Sequence, residues 1–262
     1  MSALPQVVDA TWLMGELEAE DLFVGDVRGP NAHTRGHIPG SKPLVLGSPS
    51  PMTDAEVVGG LAREAALRLR RHGVTGEERL VLCDRGDGTG AMAAAQLAEL
   101  AGHPRVAVLA GGVAGWPGEL VVGAVELAPV KAELTANLAA LPTRDELAAR
   151  LDDEHLTILD VRGDDEFSGR GGYPCDPRQG HIPGARHVEH VLLLDAPGQP
   201  READEIKALL GLAGEAEIVA YCHSGSRSAA ATLALRAAGY RARNYPGSWH
   251  EWSRHPELPI QR

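Results

Sequence analysis

Short apolar runs bounded by glycine and polar residues recur along the chain, and stretches with helical spacing lie between them. Leu156-Thr-Ile-Leu-Asp160 and Glu217-Ile-Val-Ala-Tyr221 are five-residue runs rich in β-branched and aliphatic side chains. They predict buried parallel strands, because a strand covered on both faces loses the alternation of a half-exposed one. Thr143 with Glu146 makes a capping-box pattern ahead of Leu147 to Leu151, and Asp204 opens the run Ile206 to Leu210, which Gly211 closes. A further helix is predicted from about Ser228 to Ala238. Strands alternating with helices imply α/β architecture, a mostly parallel sheet with helices on its faces.

The pattern occurs twice. Asp26-Val27-Arg28-Gly29 is answered 134 residues later by Asp160-Val161-Arg162-Gly163, and Gly36-His37-Ile38-Pro39-Gly40 is answered 144 residues later by Gly180-His181-Ile182-Pro183-Gly184. The second copy therefore carries ten extra residues, around Gly169 to Gln179. Late in each half a glycine stands five residues before a tryptophan, Gly111 with Trp116 and Gly247 with Trp252. The join falls near Val122 to Glu133, where Pro129 interrupts the pattern. The expected organisation is a tandem duplication with domains at 1–125 and 126–262.

A length of 262 residues fits two domains at about 150 residues each. Ten residues are aromatic, so the cores must be built from Ala, Val and Leu. The net charge of −11 argues against a nucleic-acid or anionic-membrane binder, since a phosphate backbone needs a basic footprint. Any anion site must be local. The longest stretch free of Asp, Glu, Lys and Arg, Val106 to Gly118, is shorter than the roughly 18 apolar residues of a membrane span. The N-terminus shows no basic segment followed by an apolar one, so a cytoplasmic location is expected. Cys83, Cys175 and Cys222 are odd in number and widely spaced, which is neither a disulfide framework nor a zinc pattern, and no metal or other cofactor is expected.

The chemistry concentrates at Tyr221-Cys222-His223-Ser224-Gly225-Ser226-Arg227-Ser228. A cysteine at the C-terminal end of a buried strand, followed by a Gly/Ser loop and a helix start, sits where backbone N–H groups and the positive helix end converge. That setting favours a thiolate, and His223 and Arg227 are candidates to add positive charge.

The loop, the Asp-Val-Arg strand end, Gly-His-Ile-Pro-Gly and the late Gly…Trp segment together resemble the rhodanese sulfurtransferases, and the tandem form of that family covers essentially the whole chain. The resemblance implies two rhodanese-like domains, each a mostly parallel sheet flanked by helices. It implies that Cys222 takes a sulfane sulfur from a small donor such as thiosulfate, holds it as a persulfide in the loop, and passes it to cyanide, a thiol or a protein acceptor. Arg79-Leu-Val-Leu-Cys83-Asp84 matches Glu217 to Cys222, which puts Asp84 on the Cys222 position and makes the first domain catalytically empty. The competing register puts Cys83 there.

Substrate choice reads as a hybrid. A basic loop residue, Arg227 with His223, resembles thiosulfate enzymes, whereas Ser224 and Gly225 resemble the Cys-Gly-Ser-Gly of 3-mercaptopyruvate enzymes. In the latter, two arginines hold the carboxylate; Asp176-Pro177-Arg178 makes Arg178 a candidate clamp, and Glu166 stands where the other arginine is expected. Asp26 and His37 match residues read in that subfamily as polarising the loop serine, but Asp160 and His181 repeat them where they cannot, so a structural job is the default. Arg28 and Arg162 are expected to pair with carboxylates, and Trp249 and Trp252 to lie in the core. Tyrosine phosphatases use a related loop, Cys-x5-Arg; here the spacing is Cys222-x4-Arg227, a shorter ring suited to one sulfur. The remaining alternative is a non-catalytic sulfur-carrier or sensor module, which turnover on small donors distinguishes.

Overall fold

The computed structural model describes residues 4–213 and 216–262. It divides into two compact units: the chain up to Pro49 with Gly59–Ala140 and Pro197–Gln199, and Ser50–Val58 with Leu141–Ala196 and Pro200–Arg262. Residues 126–140, expected with the second domain, group with the first, and Ser50–Val58 groups with the second.

In the first unit β1 (Val7–Val8), β2 (Leu22–Asp26), β3 (Lys42–Pro43), β4 (Arg79–Cys83) and β5 (Val106–Leu109) form one sheet in the order β1-β5-β4-β2-β3. Every pairing is parallel. The helices are α1 (Ala10–Glu16), α2 (Pro30–Arg35), α3 (Ala55–Arg71, of which Ala55–Val58 group with the second unit) and α4 (Thr89–Leu100). Leu80 to Cys83 of β4 are all fully buried, which is why this strand reads as an unbroken apolar run. With few aromatic residues, α4 contributes small ones, Ala91, Ala94, Ala95 and Ala98, all buried.

The second unit has β6 (Leu156–Asp160), β7 (Arg186–His187), β8 (Glu217–Tyr221) and β9 (Arg241–Asn244), in the order β9-β8-β6-β7 and again parallel. Its helices are α5 (Arg144–Ala149), α6 (Asp164–Phe167), α7 (Ala203–Leu210), α8 (Ser226–Ala237) and α9 (Ser248–Trp252). Thr143 caps α5 by accepting the Glu146 N–H at 3.0 Å. The Glu146 carboxylate turns to Arg243 and Arg150 instead of back to Thr143, so half of the capping box forms. Gly211 closes α7 in the left-handed region, φ 61°. Along β8 the period-two geometry sends Ile218 and Ala220, followed by Cys222, into the cluster that holds Ala231 and Leu235 of α8. Val219 and Tyr221 face the opposite cluster with Trp249 and Trp252, both fully buried as expected of core residues.

The duplicated motifs turn out to be a brace. Arg28 Nη2 donates to Asp26 Oδ2 and to the Gly36 carbonyl, each at 2.6 Å. Arg162 Nη2 repeats this on Asp160 Oδ2 and the Gly180 carbonyl, also at 2.6 Å. One guanidinium thus ties each Asp-Val-Arg strand end to its Gly-His-Ile-Pro-Gly turn, and a bidentate fork suits that geometry better than a lysine would. Among the described residues no helix is long and apolar enough to cross a membrane.

Candidate active site

Strand register decides which residues of the two copies correspond. Asp26 pairs with Cys83 and Asp160 with Tyr221, so Cys83 corresponds to Tyr221 and Asp84 to Cys222. Cys222 is the first residue beyond β8 and is buried. Its Sγ accepts the Gly225 N–H at 3.2 Å and the Ser228 hydroxyl at 3.4 Å. Gly225 is the N-cap of α8 with φ +90°, and a Cβ there would lie 3.0 Å from Pro246 backbone atoms, so only glycine fits without strain. This cap also starts the helix at Ser226, two residues ahead of the predicted start. Ser226, Arg227 and Ser228 are then the first-turn residues, and their N–H groups find no protein acceptor among the described residues. Unpaired donors and the positive helix end therefore flank the sulfur, an arrangement built to hold an anion.

The turn before α9 holds the loop in place. Cys222 N–H donates to Ser248 Oγ at 3.1 Å, and that hydroxyl donates to the Tyr245 carbonyl at 2.8 Å. Trp249 N–H reaches the Cys222 carbonyl at 3.0 Å, His250 N–H the His223 carbonyl at 2.9 Å, and Asn244 Nδ2 the Gly225 carbonyl at 3.1 Å. Ser248 has φ +53°, the one described non-glycine residue with positive φ, and the two hydrogen bonds of its side chain offset that strain. Sequence reasoning missed Ser248; its only signal was its place beside Gly247 in the repeated Gly…Trp segment.

Arg227 and His223, the candidates for positive charge in the loop, are both engaged. Arg227 Nη1 and Nη2 make a fork on Glu166 at 2.6 and 2.8 Å. That hydrogen-bonded pair raises the guanidinium pKa against burial. For Glu166, burial raises the carboxyl pKa, and the Arg227 fork and charge with the Gly163 N–H outweigh it, leaving it below the usual range. His223 stacks on Tyr173 with ring centroids 3.7 Å apart, and its Nε2 lies 3.1 Å from Asp176 Oδ2. Burial holds its pKa below the ordinary imidazole value despite Asp176.

Arg178, expected as a candidate anion clamp, is engaged with backbone. Its guanidinium donates to the carbonyls of Ser253, Leu258, Trp252 and His255, closing the C-terminal turn. Four of its five N–H groups are thereby satisfied by backbone. In the first unit Asp26 is held by Arg28, and His37 donates Nδ1–H to the His33 carbonyl at 2.9 Å while stacking on His33. His181 does the same to the Phe167 carbonyl and ring. The repetition gives the motif a structural job in both copies. Cys83 is a buried strand residue whose thiol pKa is pushed far up by burial, and Cys175 is exposed.

Asp84 fills its own loop. Oδ1 accepts from Gly86 and Gly88 N–H at 2.9 and 3.3 Å, and Oδ2 from Gly90 and Ala91 N–H at 3.0 and 3.2 Å. A cavity of about 700 Å³ opens beside this loop, lined by Arg28, Arg35, Asp84, Arg85 and Asp87 among others. The first-turn helix donors that find no protein acceptor beside Cys222 are here taken by carboxylates, Thr89 N–H by Asp87 and Gly90 and Ala91 N–H by Asp84, which stands in the place of the Cys222 thiol. One further group of side chains converges in the second unit: Cys175, Asp176, His223 and His250 place four donor atoms within 4.8 Å of one another, a set able to hold a metal where the sequence led to the expectation of none.

Residues 9–119 and 143–255 each match the model of the Rhodanese-like domain. The chain is 31% identical to thiosulfate sulfurtransferase of Azotobacter vinelandii over 99% of its own length and 98% of that protein's. It is equally 31% identical to a probable 3-mercaptopyruvate sulfurtransferase of Pseudomonas aeruginosa, covering 97% of each. The solved structure of a probable thiosulfate sulfurtransferase superposes with a TM-score of 0.71 at 31% identity, over 93% of this chain and 98% of the other. Two matched domains, a buried cysteine at the head of α8 in one and a carboxylate in its place in the other: the chain belongs to the rhodanese-like family, in its tandem form.

Proposed function

We propose that the protein is a sulfurtransferase that moves a sulfane sulfur from thiosulfate to cyanide or a thiol through a persulfide on Cys222. The observation that carries this reading is the Cys222 sulfur set against Gly225 N–H and Ser228 Oγ, at the head of a helix whose first-turn N–H groups are unpaired. The Cys222 thiolate attacks the outer sulfur of thiosulfate; a new S–S bond forms, the donor S–S bond breaks, and sulfite leaves with its electron pair. The terminal persulfide sulfur then carries the negative charge, and the free N–H groups of the first turn stabilise it without further reorganisation. An acceptor nucleophile attacks that sulfur, its bond to Cys222 breaks, and the thiolate is regenerated. No net redox change falls on the protein.

Thiosulfate is preferred over 3-mercaptopyruvate because the two-arginine carboxylate clamp is missing: Glu166 occupies one position and Arg178 is bound to four carbonyls. Three free thiols suit a reducing compartment, in line with a cytoplasmic enzyme. The test is kcat/KM for the two donors side by side with cyanide as acceptor. Thiosulfate should win; a clear preference for 3-mercaptopyruvate would reverse the donor assignment, and absence of turnover on either would favour a carrier module. Cys222→Ser should abolish transfer, whereas Cys83→Ser and Cys175→Ser keep it, as persulfide mass mapping to Cys222 alone would confirm.

A further inference from the structure

We propose that Cys175, Asp176, His223 and His250 form a binding site for one divalent transition cation of the zinc type, next to the catalytic cysteine and separate from its chemistry. The four residues come from three places, the ten-residue insertion that only the second copy carries and the segments around Cys222 and Ser248, and their donor atoms lie within 4.8 Å of one another. A tetrahedral site with metal distances of about 2.3 Å to sulfur and 2.0 to 2.2 Å to nitrogen and oxygen has ligand-to-ligand edges of about 3.3 to 3.6 Å. The observed separations, those from Asp176 each taken to the oxygen that faces the partner, run from 3.1 to 3.8 Å, close enough that a small rotation of the carboxylate brings one oxygen into the set. Asp176 Oδ2 to His223 Nε2 is 3.1 Å, His250 Nδ1 to Asp176 Oδ1 is 3.4 Å, and Cys175 Sγ lies 3.8 Å from both His223 Nε2 and Asp176 Oδ1.

A second observation points to a ligand. The Asp176 side chain is 1% exposed, yet Oδ2 has no hydrogen-bond partner among the described residues, although His223 Nε2 is at 3.1 Å. Distance is satisfied and direction is not, as when two ligands aim at a common centre instead of at each other. A buried carboxylate oxygen left in that state costs free energy that a cation would recover. Thiolate, carboxylate and two neutral imidazoles match the preference of zinc for mixed S, N and O donors, and their two negative charges balance a divalent ion. Binding releases the Cys175 proton to solvent.

Arg254 is the group the cation must displace. Its Nη1 lies 3.1 Å from both Asp176 Oδ1 and His250 Nδ1, and Nη2 donates to the Cys175 carbonyl. The guanidinium neutralises the carboxylate until the metal takes the imidazole. Since His223 directly follows Cys222, an occupied site ties the start of the catalytic loop to the insertion.

Cobalt(II) is the probe, titrated into the full-length reduced protein and followed by absorption. One equivalent should produce the visible bands of tetrahedral cobalt and a near-ultraviolet thiolate-to-metal band, and zinc should bleach both. Cys175→Ser should remove the thiolate band, Cys222→Ser should keep it, and His250→Ala should weaken binding by at least about tenfold. Arg254→Ala should tighten it. Thermal melts of the metal-free variants separate a lost ligand from a lost fold. Absence of tetrahedral bands in the wild type, their persistence with a thiolate band in Cys175→Ser, their loss in Cys222→Ser, or loss of binding in Arg254→Ala would each overturn the site. These readouts require no turnover, so they stand or fall apart from the sulfur-transfer assignment.

Discussion

Removing Arg227 should act mainly by unmasking Glu166. The fork is bidentate at 2.6 and 2.8 Å, and the two side chains are 24% and 17% exposed, so solvent screens the pair only in part. Charge-assisted hydrogen bonds contribute about 1.5 to 3 kcal/mol each before screening, and for this partly solvated fork a coupling of about 2 kcal/mol is expected. Arg227→Ala leaves a half-buried carboxylate beside a loop that must accept a dianion, and kcat/KM for thiosulfate should fall by about ten- to a hundredfold. Glu166→Gln keeps an oxygen for the Gly163 N–H, releases the guanidinium, and should lower the thiosulfate KM. The double variant should regain part of the Arg227→Ala loss, because the uncompensated charge is gone. Urea melts of the four proteins give the coupling energy directly, and steady-state kinetics give the catalytic half of the cycle. If the double variant is no better than Arg227→Ala, or the coupling energy is near zero, Glu166 does not govern the charge of the loop.

Arg178→Ala should destabilise the protein by about 2 to 4 kcal/mol through its four carbonyl contacts while leaving the thiosulfate KM within roughly twofold, and a large KM rise at unchanged stability would restore it as a substrate residue. Glu217 is held down to about 2, chiefly by its hydrogen bond from Arg150, with burial opposing and Arg243 adding. Its folded-state pKa is depressed, so the stabilisation is present above the ordinary carboxylate value and lost as pH falls toward 2; Glu217→Gln should lower Tm at pH 7, by about 1 kcal/mol in stability, and flatten the loss of Tm between pH 5 and 2. Asp84→Asn should cost about 1 to 2 kcal/mol and speed amide exchange at Gly90 and Ala91, and unchanged protection at those two amides would show that the carboxylate does not hold them.

Much of this was legible because the chain repeats itself. β6 and β8 begin and end where the apolar runs do, since both faces of each are covered, and the shared register at Asp26 and Asp160 resolves the choice between Asp84 and Cys83 in favour of Asp84. The default structural reading of Asp26 and His37 rested on the same repetition. What stayed hidden depends on long-range backbone. The Arg178 partners are carbonyls 74 to 80 residues away, and a carbonyl leaves no mark in a sequence. Cys175 and His250 lack any ligand-like spacing because a loop and the short helix α9, far apart in the chain, bring them together, and Ser248 acts through a backbone conformation its residue type disfavours.

The carboxylate of Asp84 is a ligand on a tether one methylene long. No free anion in solution can match the local concentration such a short link imposes, so the four N–H donors around it stay engaged while the unit is folded and Asp84 is ionised. The donors at the head of α8 have no tethered carboxylate and are available to an anion. Two copies of one scaffold therefore run at opposite occupancies. The first holds its own carboxylate and the second is open to an incoming anion; under the proposed sulfur transfer at Cys222, that difference would confine turnover to a single loop without requiring the other to lose its shape.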